Sequence, residues 1–221
     1  MILEAVESER AVAAWSAVTS LVDADGTGAE AYGASLLAPD AATRDLADFV
    51  HCLCLLHGRQ PGLVDAAAAR PLTPGTEPWL IKAADAFAGE RAMLVRLVAA
   101  VGPLPSTPGQ AETEAAIAAQ RHALDMLAAS DRPGCPIGAA LALIIDWAAI
   151  RNVLDAVAVR LGLDLSPSTL PSTDDAAALV TQFAGTAAFE RAMLFGSQQL
   201  LAQHHALWQL LEARAAARND A

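Results

Sequence analysis

Residues 135–162 read CPIGAALALIIDWAAIRNVLDAVAVRLG, and this stretch decides the fold. Pro136 suits a first helical turn, where its missing N–H would have no partner in any case. Gly162 suits the position just beyond the last turn. Between them Ala, Leu, Ile and Val run nearly all the way round, the pattern of a helix enclosed by other helices. The spacing predicts a buried central helix over 136–161. A membrane span is the rival reading, but the uninterrupted apolar part, Ile137 to Ile145, is far short of the roughly 20 residues a span needs. Asp146, Arg151, Asn152 and Asp155 follow within the same helix, so the expectation is a soluble helix and no membrane.

The polar residues of this helix are not equivalent. At about 100° per residue, Arg151, Asn152 and Asp155 gather on one side, with Arg151 and Asp155 in i,i+4 register. Asp146 points the other way, into the stripe of Ala139, Ala142, Leu143, Ala149, Ile150 and Val153. A lone buried carboxylate is costly, so Asp146 requires a cationic or hydrogen-bonding partner, or a proton. A satisfied core carboxylate is the structural reading, and a ligand or metal contact is the functional one.

Working outward, the same signals place helices over 2–22, 29–37, 41–57, 63–69, 77–101 and 110–129. A last helix starts at Ser172 or Thr173 and runs to about Arg214. Asp40 and Thr76 read as N-caps, and Pro61-Gly62 as a type II turn. Trp15 reads as the core anchor of the first helix. The chain of 221 residues is rich in Ala and Leu, which favours helix. No linker or composition shift divides it. The expectation is an all-α, single-domain helical bundle spanning 1–221, with about five long helices plus short ones around the central one.

The formal net charge of −11 argues against nucleic acid or an anionic membrane as a partner, since both call for a basic face. The N-terminal MILEAVESERAV lacks the order of a signal peptide. Cys52, Cys54 and Cys135 fit reduced thiols and a cytoplasmic location. With 54 % hydrophobic residues and a mean hydropathy of +0.35, a self-association face (a homo-oligomer) or a protein partner is expected.

Candidate sites come from charges on apolar helix faces. Glu90 shares its stripe with Ala83, Phe87, Leu94 and Leu97, and Arg91 lies farther round. Glu190 lines up with Phe183, Leu194, Leu201 and Trp208, and His204 falls on the same side. Glu90 and Glu190 also sit in an internal echo, Glu-Arg-Ala-Met-Leu at 90–94 and 190–194. Glu90, Asp146 and Glu190 are thus expected to face inward, with Arg91 the best-placed cation among them. His57 falls with Leu46, Val50 and Leu53 on an apolar face, just ahead of Arg59, which a turn could present to an anion.

Two functional readings follow. The first is a non-catalytic bundle that binds a partner protein or a small apolar ligand, its buried charges forming a neutralised network and no cofactor being required. The second is an iron- or manganese-dependent oxidoreductase with carboxylates in the interior, by analogy with ferritin-like bundles. Those bundles use a lone Glu from each of two helices and Glu-x-x-His from the other two. No Glu here has His at the third following position. Asp48-x-x-His51 with Glu90 and Glu190 is the nearest metal set, while His122, which shares a face with Glu114 and Asp125, reads as solvent-exposed. Ser-nucleophile, phosphate-loop and zinc motifs are missing from the sequence.

Overall fold

The computed structural model describes residues 2–183 and 186–220. Among these there are nine α-helices and no strand: α1 (Ile2–Asp25), α2 (Ala31–Leu36), α3 (Thr43–His57), α4 (Leu63–Ala69), α5 (Glu77–Val101), α6 (Gln110–Ala128), α7 (Cys135–Arg160), α8 (Thr173–Phe183) and α9 (Ala187–Asn219). A 3-10 turn, Thr27–Ala29, joins α1 to α2. The fold is an all-α bundle. Its apolar interior is one contiguous cluster that draws side chains from α1 through α9.

The central helix is α7. Its length and hydropathy would allow it to cross a bilayer, but 72 % of its most apolar window is buried by the rest of the chain. It ends as its sequence requires. Gly162 takes φ +66°, the Leu163 N–H donates to Ala158 O at 2.9 Å, and the Gly162 N–H donates to Val159 O at 3.1 Å. These two bonds form a Schellman motif that satisfies carbonyls at the helix end.

Helix α9 packs along α7 with almost no space between the backbones. A Cβ placed on Gly138 would lie 1.9 Å from Met193 O, and one on Gly196 would lie 2.1 Å from Cys135 O. The Ser197 hydroxyl donates to Gly138 O at 2.9 Å within this contact. Farther along both helices Asp146 meets His204, so α7 and α9 run in the same direction. Helix α3 runs the opposite way against α9. His57 lies against His204, Phe49 stacks on Trp208 with ring centroids 5.1 Å apart, and Asp48 meets Arg214.

Several local readings need correction. The last helix is two helices. Thr186 is extended and its side chain accepts from the Phe189 N–H, which starts α9 afresh. Ser172 does act as the expected cap, but of the short α8, where it and Asp175 each accept from the other's N–H. Helix α3 starts at Thr43 after Ala42, so Asp40 is not its cap. The Thr76 hydroxyl donates to Thr73 O instead of capping α5. Gly62 has φ −105° rather than the positive φ of a type II turn; it precedes α4, and its N–H donates to Asp65 at 2.7 Å. Trp15 is only partly buried, while Ala11, Ala14 and Val18 carry the inner face of α1.

The α7–α9 contact sets a direct test. At Gly138 and Gly196 the obstacle is backbone, which no rotamer change can remove. Gly138→Ala and Gly196→Ala should each cost about 3 kcal/mol or more through forced separation of the helices, read as a lower urea midpoint. Gly28→Ala, where a Cβ meets nothing within 4 Å, should leave the midpoint nearly unchanged.

Candidate functional site

The Asp146 carboxylate lies deep in the interior, 1 % exposed. Its Oδ1 accepts from the Thr27 N–H at 2.7 Å, and its Oδ2 accepts from the Thr27 hydroxyl at 2.8 Å. The Thr27 hydroxyl in turn accepts from Trp208 Nε1 at 3.0 Å. Asp146 thus takes over the side-chain capping role at the 3-10 turn, which Gly26 leaves unfilled. Gly26 must lack a side chain here, because a Cβ would lie 2.6 Å from Asp146 Oδ1.

Asp146 Oδ2 also bonds His204 Nδ1 at 2.6 Å, and His204 Nε2 lies 3.0 Å from His57 Nε2. Both histidines are buried. The result is a file of three groups, Asp146–His204–His57, crossing from α7 through α9 to α3. Burial works to raise the Asp146 carboxyl, but the hydrogen bond and charge of His204 and the two bonds from Thr27 outweigh it and hold the group below the usual range. His57 is pushed well below 6.5, first by burial and then by His204 and Arg91. Its ring stands edge-on to Trp147 at 5.5 Å.

Trp147 leads to a second cluster. On α7, Trp147 and Arg151 are four residues apart and share a face. Trp147 Nε1 donates to Glu90 Oε2 at 2.9 Å, and Arg151 Nη1 donates to both Glu90 oxygens at 2.9 and 3.0 Å. Arg151 is fully committed, since its Nε donates to Asp155 at 2.7 Å and its Nη2 to Ser166 O at 2.6 Å.

A third cluster joins α3 to the end of α9. Asp48, 0 % exposed, accepts from Arg214 Nε at 2.9 Å, Arg214 Nη2 at 2.8 Å and Arg218 Nη1 at 2.6 Å. Thr113 accepts from Arg214, and Thr107 and Asp45 accept from Arg218. Beside it the Cys52 thiol is pushed up to about 12, by burial first and Asp48 next. It is a protonated core thiol and not a nucleophile at neutral pH.

The structure therefore distributes the sequence candidates over separate clusters. Asp146, His204 and His57 are brought together, and Glu90 sits one indole away. Arg91 is not the cation of Glu90, Asp146 or Glu190; its Nη2 donates to Asp65 at 2.9 Å. Glu190 leaves the interior set. It is half-buried and pairs with Arg10 at 3.1 Å, because α9 restarts at Thr186 and places Glu190 in its first turn. The two copies of the Glu-Arg-Ala-Met-Leu echo thus occupy unlike surroundings. Arg59 is paired with Asp125, donating to both oxygens at 2.7 Å.

The metal set of Asp48, His51, Glu90 and Glu190 does not converge. Asp48 is held by two arginines, Glu90 by Arg151 and Trp147, Glu190 by Arg10, and His51 Nε2 bonds Gly102 O at 2.8 Å. Among the described residues no three of His, Cys, Asp and Glu gather as a metal site.

Sequence reasoning missed Thr27, the partnership of Arg151 with Glu90, and the pairing of Asp48 with Arg214 and Arg218. The last had a signal. Arg214 and Arg218 continue the buried stripe of His204, Leu207 and Leu211 on α9, so both guanidiniums needed buried carboxylates.

The file predicts a pH dependence. With its native proton affinity depressed, His57 takes up a proton more readily in the unfolded chain than in the folded one. Stability is then full above 6.5 and falls as the pH drops below it. Urea unfolding across pH 8 to about 5 should show this fall, and His57→Gln should flatten it. A wild-type curve that is level over this range would contradict the buried neutral His57.

Comparison with curated proteins and with solved structures gives no match. The chain belongs to a family of unknown function (DUF6975), whose model matches residues 22–219.

Proposed function

We propose that this protein is a non-catalytic binding protein for a small, uncharged, largely apolar molecule. The supporting observation is a cleft of about 360 Å³ between α7 and the connector that leads to α8, walled by Ile144, Ile145, Ala148, Leu170 and Pro171 over Trp147. That volume lies at the lower end of small-molecule sites. Asn152 and the hydroxyls of Ser168, Ser172 and Thr173 rim it, supplying a few polar contacts for orientation.

The charge balance supports an uncharged ligand. Arg151 lines the cleft, but each of its three nitrogens is already bonded, to Asp155, Glu90 and Ser166 O. The N-terminus of α8 carries Asp174 and Asp175, which oppose an anion there. The walls are held in place before any ligand arrives. One wall is α7, buried along most of its length, and the other is fixed by Arg151 to Ser166 O and by Arg96 to Asp164 O at 3.1 Å. Such preorganisation lowers the ordering cost of binding.

N-phenyl-1-naphthylamine, an uncharged fluorescent probe, tests this reading. Its emission should rise saturably on titration. Ala148 is exposed on the cleft wall and Ala119 is exposed on α6. Ala148→Trp should abolish the rise with an unchanged unfolding midpoint, while Ala119→Trp should leave it intact. Probe binding that survives Ala148→Trp would place it elsewhere and contradict the assignment.

A further inference from the structure

A second, much smaller cavity of about 20 Å³ lies at the open end of the Asp146–His204–His57 file, where leucines and Phe87 share its lining with His57, Gly62, Arg59, Arg121 and the Asp125 carboxylate. It has room for one particle of water size or slightly more. Three features distinguish it from an ordinary packing defect.

First, Arg91 is 5 % exposed, and its Nη1 is buried with no hydrogen-bond partner. An unsatisfied buried guanidinium nitrogen is rare and needs an explanation. This nitrogen lies 3.6 Å from the point where a Cβ on Gly62 would sit, and Gly62 lines the cavity. The guanidinium stands over the Phe87 ring at 5.4 Å, and Phe87 is another wall residue.

Second, His57 lines the cavity and commits Nε2 to His204, which leaves Nδ1 as its remaining polar atom. Asp146 accepts from His204 Nδ1. When the histidine pair carries one extra proton, His57 presents an N–H at Nδ1, whichever ring holds the formal charge. Without that proton it presents a bare nitrogen.

Third, the surrounding charge is not acidic, although the chain as a whole is. Arg59 is balanced by Asp125 and Arg91 by Asp65, while Glu90 is turned to Arg151 behind Trp147. Arg121 of α6 adds a further positive charge to the wall.

We infer that this cavity binds one small monovalent anion, chloride being the simplest, between Arg91 Nη1 and the Nδ1–H of a protonated His57. Binding takes up one proton from solvent. The Asp146 carboxylate, reached through His204, stabilises the added charge from behind, and the anion faces it from the front. The anion supplies the missing partner of Arg91 and offsets the positive charge that opposes protonation of His57. The site is independent of the cleft beside the connector.

Thermal unfolding in sodium chloride against sodium gluconate at equal ionic strength separates this from general salt screening. At pH 5.5 the midpoint should be about 3 °C higher in chloride. At pH 8.5 the two salts should be equivalent. Excess broadening of the chloride-35 magnetic resonance line should follow the same pH dependence. Arg91→Lys keeps a charge toward Asp65 but has no second nitrogen, and Gly62→Ala fills the cavity with a methyl group. Each should remove the preference for chloride. Equivalent midpoints in both salts at pH 5.5, with no line broadening, would mean that the cavity holds water only, and would overturn the inference. A chloride preference that persists in a folded Arg91→Lys or Gly62→Ala variant would place the anion elsewhere and overturn it equally. If neither variant folds, the line width of the unmodified protein decides.

Discussion

The structure depends on one buried carboxylate. Asp146 lies inside an apolar bundle where an unpaired charge would be expelled or protonated, and it stays because three donors reach it from two distant segments. Thr27 provides two of them and His204 the third. Satisfying Asp146 therefore fixes the turn after α1 against α7, and α7 against α9. Through His57 it also fixes the end of α3. The close α7–α9 approach at Gly138 and Gly196 belongs to the same device. Without it, a hydrogen bond of 2.6 Å between side chains as short as Asp and His could not form.

The other buried charges repeat this arrangement. Asp48 between Arg214 and Arg218 locks the start of α3 to the end of α9, and Glu90 with Arg151 and Trp147 locks α5 to α7. Ion pairs of this depth add little net stability over a well-packed apolar equivalent, whereas losing one partner costs about 3–5 kcal/mol. We attribute to them the choice of register. In an interior built largely of Ala and Leu, neighbouring helix registers bury similar apolar area, but only one brings each carboxylate to its donors.

Much of this was legible in the sequence, for reasons particular to each element. The central helix, the 63–69 helix and the 77–101 helix carry both period and punctuation, and their ends fall within a residue of the observed ones. The inward position of Asp146, Glu90, His57 and His204 follows from helical phase alone. Their partners do not. Thr27 lies in a Gly-rich turn with no period, so nothing local marks its N–H as the donor for a residue far along the chain. On a helical wheel Arg151 shows only as the i,i+4 neighbour of Asp155, because a guanidinium long enough to serve two sides looks there like a solvent group. Glu190 fails for another reason: it shares the phase of Leu201 and Trp208 on α9, but the restart at Thr186 puts it in the first turn, at the helix end, where it meets Arg10.

The most direct measurement is a double-mutant cycle on Asp146→Asn and His204→Asn, read by urea unfolding at neutral pH. If the Asp146–His204 contact holds the bundle together as described, the two changes are coupled by about 1–3 kcal/mol, the double variant losing much less than the sum of the single losses. Losses that add to within about 0.5 kcal/mol would show that the two side chains act independently, and would contradict the account.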